Sequence, residues 1–127
     1  MQEQNRYEYA VIRFVPRVER EEFVNVGLAM MCKRRRWMKV ELLLNENRIK
    51  AMSPDADLKV LACQLQTFVD IAEGKRSAGP VASYPVEERF RWLSAVKSSV
   101  IQTSRPHPGL TTDLDLTFRS LFSDLIL

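Results

Sequence analysis

Three consecutive stretches of this chain alternate with a period of two: YEYAVIRFVP at 7–16, FVNVGLAMMC at 23–32 and WMKVELLL at 37–44. Nothing else in the sequence constrains the fold as strongly, because that period belongs to a pleated strand whose successive side chains point to opposite faces. In the first run Ala10, Ile12 and Phe14 share one side, and Tyr7, Tyr9, Val11, Arg13 and Val15 share the other. Tyrosine, valine, isoleucine and phenylalanine suit such a surface. Pro16 ends the run, since it has no amide to give to a ladder. In the second run Val24, Val26, Leu28, Met30 and Cys32 are predicted to form one unbroken apolar face. In the third, Met38, Val40, Leu42 and Leu44 do the same. The charged RVEREE at 17–22 is a connection, and KRRR at 33–36 is a four-residue hairpin turn. The expectation is a three-stranded antiparallel meander with a wholly apolar face that another element must cover.

The cover is legible further on. NENR at 45–48 reads as a turn. Ser53 is the predicted N-cap of a long helix, with Pro54 in its first position and Asp55 and Asp57 at the positive end of its dipole. Leu58, Leu61, Ala62, Leu65, Phe68 and Val69 lie on one continuous stripe, and Gly74 closes the helix. Residues 74–83 read as a loop. Residues 85–95 read as a short helix burying Val86, Phe90 and Leu93, with Glu87 and Arg91 as an i, i+4 pair. Residues 98–104 read as a fourth strand and RPHPG as a turn. A last helix is predicted with Thr112 as cap, Asp115 in the box position and Leu114, Phe118, Leu121 and Leu125 as its stripe.

The order β-β-β-α-α-β-α predicts one α+β domain over 1–127: an antiparallel sheet, a three-stranded meander plus a later strand, packed by a long amphipathic helix and a C-terminal helix. The second sheet face presents Tyr7, Tyr9, Arg13, Asn25 and Trp37 around the small Gly27 and Ala29. Either the C-terminal segment packs there or the face stays open.

Length and cysteine usage limit the function classes. A chain of 127 residues buries enough surface to need no disulfide or metal. Cys32 and Cys63 read as reduced core thiols. MQEQNRYEY has no apolar leader core, and no apolar run reaches the ~18 residues of a span, so a soluble cytoplasmic protein is expected. One histidine and two distant cysteines cannot close a zinc site, and the four glycines form no phosphate loop, so no metal or cofactor is expected. Ser98, Ser99 and Ser104 lie near His107, but no G-x-S-x-G elbow exposes a serine, which weighs against an enzyme. A small hydrolase or phosphotransfer protein using Ser99 and His107 is the third reading.

Charge supports another reading. Residues 1–50 carry eleven Lys/Arg against seven Asp/Glu, while the net charge of the whole chain is +3. Lys33, Arg34, Arg35 and Arg36 can track phosphates, and Tyr9 with its neighbouring sheet aromatics can stack bases. A nucleic-acid-binding domain built on these residues is the alternative. Its competitor is a solvated turn that protects a sheet edge from aggregation.

Three segments together, YEYAVIRFVPRVEREEFVNVG at 7–27, ERFRWLSAVKSSVIQTS at 88–104 and HPGL at 107–110, resemble a bacterial family of small proteins catalogued as domain of unknown function 3037. The resemblance covers nearly the whole chain and is loosest in the hairpin and first helix. It implies no reaction. It does imply featured positions, among them Arg13, Asn25, Arg89, Arg91, Gln102 and His107. It also implies a partner, because such proteins are often encoded beside a kinase resembling the HipA toxin kinases. In the register above, Arg13 and Asn25 project from one face of neighbouring strands, and Arg89, Arg91, Gln102 and His107 belong to the segment expected beside that face. Guanidinium, amide and imidazole groups together favour an anionic ligand or an acidic partner loop. The first expectation is therefore a small non-enzymatic accessory protein that holds a protein partner, a HipA-like kinase being the one the resemblance suggests.

Overall fold

The structure is a computed structural model and describes residues 3–95 and 100–127. The three alternating runs become β1 (Asn5–Phe14), β2 (Val24–Cys32) and β3 (Trp37–Leu42), and the basic four-residue turn joins the last two. Four helices follow: α1 (Glu46–Met52), α2 (Leu58–Glu73), α3 (Val86–Ser94) and α4 (Leu114–Leu125). Between α3 and α4 lie two short strands, β4 (Ile101–Thr103) and β5 (His107–Thr111). The fold is α+β. The antiparallel sheet runs β3-β2-β1-β4, and β5 pairs the other half of the same edge of β1.

Two apolar layers hold the sheet. On one face α2 contributes Leu61, Leu65 and Ile71, and α3 contributes Phe90 and Leu93, all buried against Ala10, Ile12 and Phe14. On the other, Phe118 and Phe122 of α4, with Ile126 just after it, pack on Val11, Leu28 and Met30. Each large side chain fully removed from water contributes about 1.5–3 kcal/mol before entropy is subtracted. The second face is thus packed by the C-terminal helix, with the Trp37 ring edge-on to Phe118 at 6.4 Å and the Lys39 ammonium 4.9 Å above the Phe118 ring.

Several local expectations are corrected. The predicted apolar face Val24–Cys32 is broken by a β-bulge: Ile12 pairs with Gly27 but Arg13 pairs with Asn25, leaving Val26 as the extra residue. The phase slips there. Val24 and Val26 share the α2–α3 face with Ala29 and Met31, whereas Leu28 and Met30 face α4. Residues 26–32 are apolar at every position, so the hydropathy pattern carries no trace of a one-residue slip.

Residues 45–48 do not form a turn but open α1, whose N-cap Asn45 accepts from the Arg48 amide at 3.1 Å. Ser53 ends α1, and Asp57 caps α2 by accepting from Lys59 and Val60. The cap of α4 is Asp113, not Thr112; its carboxylate accepts from the Leu116 amide at 3.0 Å. RPHPG is no free turn: His107, Pro108 and Gly109 belong to β5, at a sheet edge where a missing proline amide breaks no ladder bond. Cys32 is buried as expected, but Cys63 lies on the exposed side of α2. Among the described residues no helix is long and apolar enough to cross a membrane.

Candidate functional site

The bulge decides what the polar face of β1 presents. Because Val26 is skipped, Asn25 stands directly across from Arg13, and on the other side Gln102 of β4 stands across from the same arginine. Cross-strand partners share a face. Asn25, Arg13 and Gln102 therefore form one polar row over three strands, near the C-terminal end of α4.

Each member is held differently. The Arg13 guanidinium lies 4.0 Å above the centre of the Phe23 ring, a cation–π contact. Its Nε is buried and has no hydrogen-bond partner among the described residues. Burial lowers the pKa of this guanidinium from its ordinary value, although an arginine keeps its charge throughout. Asn25 Nδ2 donates to the Leu125 carbonyl at 3.1 Å, while its Oδ1 is buried without a partner among the described residues. Arg48 Nη1 donates to the Ile126 carbonyl at 3.2 Å. Two side chains from different elements thus complete the end of α4, whose last carbonyls lack partners inside the helix.

Beside this row opens a cleft of about 1010 Å³. Arg17, Arg20, Phe23, Asn25, Arg48 and Asp55 line it. Phe23 is 41% exposed despite its size, with the Arg13 guanidinium stacked on it. Arg20 pairs with Glu22 at 2.6 Å across one rim. The predicted site left out Phe23, Arg17, Arg20 and Arg48. Arg17 and Arg20 sat in a connection whose glutamates offset their charge, Phe23 opened the predicted second strand, and Arg48 sat in a supposed turn.

The other residues singled out in the sequence lie elsewhere. His107 pairs with Tyr9 across β1 and β5 and stacks on its ring at 5.2 Å. It shares the face of Arg13 but sits four residues away along β1, about 13 Å at strand rise. Arg89 is not on this face. It projects from α3, on the opposite layer, and its Nη1 donates to the Ile71 and Ala72 carbonyls at 2.9 and 3.0 Å, closing the end of α2. The expectation that 88–109 lies together beside Arg13 is corrected: β4 does, while α3 packs across the sheet because Val86, Phe90 and Leu93 bury into the α2 layer. Ser98 and Ser99 lie outside the described residues.

Arg91 joins a second cleft, of about 840 Å³, at the hairpin end of the sheet. Arg6, Lys33, Arg34 and Arg36 line it with Arg91, over Met31 and Pro108. Glu8 and Glu87 are also there. Arg35 turns aside and donates to Asn5 Oδ1 at 3.2 Å. Tyr9 does not line this cleft; its ring lies on the α4 face beside His107. Among the described residues no group of three or more His, Cys, Asp or Glu side chains is arranged to hold a metal.

No curated protein and no solved structure matches this chain. Residues 9–126 match a family whose description is Protein of unknown function (DUF3037), and the chain, matched over nearly its whole length, belongs to that family.

Proposed function

We propose that this protein is a non-enzymatic interaction module that holds an acidic or phosphorylated segment of a protein partner in the cleft beside Phe23. The observation that carries the reading is the Arg13–Phe23 pair: a partly exposed aromatic ring with a guanidinium already stacked on it, bordered by Arg17, Arg20 and Arg48. Aromatic and arginine side chains supply most of the energy at protein interfaces. A guanidinium fixed against a ring loses little freedom on binding, and its fork matches a carboxylate or phosphate.

The partner suggested by the family resemblance is a HipA-like kinase. The test is retention of that kinase on immobilised protein, wild type against Phe23→Ala and Arg13→Ala. The reading expects retention by wild type and a loss of tenfold or more in each variant, about 1.4 kcal/mol or greater. Equal retention by all three, or none by wild type, overturns it.

A further inference from the structure

We propose that the cleft at the hairpin end binds the phosphodiester backbone of a nucleic acid, independently of the cleft beside Phe23. Five cationic side chains line it against two carboxylates, which leaves +3. The net charge of the whole chain is also +3, so the remaining residues sum to zero and the excess charge is gathered in one place. Such a concentrated basic surface is the electrostatic footprint of nucleic-acid binding.

A basic turn kept only for solubility would carry its charges on the turn. Here they converge from three elements: Arg6 from β1, Lys33, Arg34 and Arg36 from the hairpin, and Arg91 from α3. Among the described residues Arg34 pairs with Glu3 at 2.8 Å, but Arg6, Lys33, Arg36 and Arg91 make no ion pair, not even with Glu8 or Glu87 in the same cleft. Four unpaired like charges around one concavity repel one another, and a polyanion laid across them relieves that repulsion. The turn is also fixed, since the Arg36 amide donates to the Lys33 carbonyl at 3.1 Å and Arg35 is tied to Asn5.

The lining decides the kind of recognition. Met31 and Pro108 offer no ring on which a base could stack, and the ring of Tyr7, the aromatic side chain in the lining, is already laid across Gly109. Contacts therefore go to phosphates, and binding is blind to sequence. Glu8 and Glu87 oppose sparsely charged carboxylate ligands and favour a polymer of high, regular charge density.

The experiment is fluorescence anisotropy of end-labelled single- and double-stranded oligonucleotides of unrelated sequence, titrated across a salt series. With four cations on phosphates, about a fourfold rise in salt is expected to weaken binding about a hundredfold. Arg6→Gln and Arg91→Gln are each expected to make the log–log salt slope shallower by about one, and the double variant to lose tenfold or more in affinity at low salt. Phe23→Ala leaves this binding unchanged, so failure here and failure of the partner cleft are separable. A flat salt response, full binding by the double variant, or tighter binding of a phosphorylated peptide of equal net charge overturns the assignment.

Discussion

Ser104 and Val11 hold each other twice: the Ser104 amide donates to the Val11 carbonyl at 2.8 Å, and the Val11 amide donates to Ser104 Oγ at 2.9 Å. The serine hydroxyl thus stands in for a backbone carbonyl where the edge of β1 passes from β4 to β5. Thr103 pairs with Ile12 and His107 with Tyr9, so three residues on one side face two on the other, and the ladder needs a substitute acceptor.

Ser104→Ala is expected to leave the buried Val11 amide without a partner and to cost about 1–3 kcal/mol. Thermal denaturation reads the loss, and faster hydrogen exchange at Val11 locates it.

Gly109 carries the Tyr7 ring across its Cα, and a Cβ there runs straight into that ring. A Cβ placed on Gly27 would likewise come within 2.8 Å of Leu42 Cδ2 and 2.9 Å of the Glu41 carbonyl oxygen. Overpacking of this kind costs about 1–3 kcal/mol. Gly109→Ala is expected at the lower end, because a tyrosine ring on a half-covered face can swing away. Gly27→Ala is expected at the upper end, because one of its obstacles is backbone. Paired urea titrations give the order.

Asn25 and Arg48 donate to successive carbonyls at the end of α4. Replacing either by alanine is expected to cost about 0.5–1.5 kcal/mol, the ordinary net value of one such bond. Hydrogen exchange should rise in the last turn of α4 while β1 and β2 remain protected. Uniform loss of protection would contradict a local role.

Arg89 spans from α3 to the last turn of α2 with two bonds from one nitrogen. Arg89→Met keeps the apolar stem and removes both bonds, for an expected loss of about 1–3 kcal/mol. Lysine in its place should recover part of that stability, since an ammonium can also serve a helix C-terminus. The melting temperatures should fall in the order wild type, lysine, methionine.

The large periodic features were legible in the sequence. The meander, the stripe of α2, the buried face of α3 and the stripe of α4 all rest on patterns repeated over many residues. The misses share a cause. The bulge at Val26 leaves no mark where both faces are apolar. Caps were displaced because Ser53 and Thr112 each have an acidic competitor in an equally good position, Asp57 four residues on and Asp113 immediately after. Pro106 and Pro108 imitate a turn until the edge position of β5 is known. The row Asn25–Arg13–Gln102 followed in part from strand phase, and the bulge is what sets Asn25 opposite Arg13. The two clefts did not follow, since each gathers side chains from elements whose neighbourhood no local pattern encodes.

β1 uses both its edges, one against β2 and the other against β4 and β5. On the ribosome these partners arrive at very different times: the hairpin is available once Leu42 has emerged, but the chain that seals the far edge does not begin until Ile101. Throughout that interval a nascent molecule carries a bare strand edge at Ala10, Val11 and Ile12, the kind of surface that recruits strands from neighbouring chains. Synthesis that stalls before Ile101 therefore yields a species prone to clump, which makes the short stretch Ile101–Thr111 the protective seal of the whole sheet.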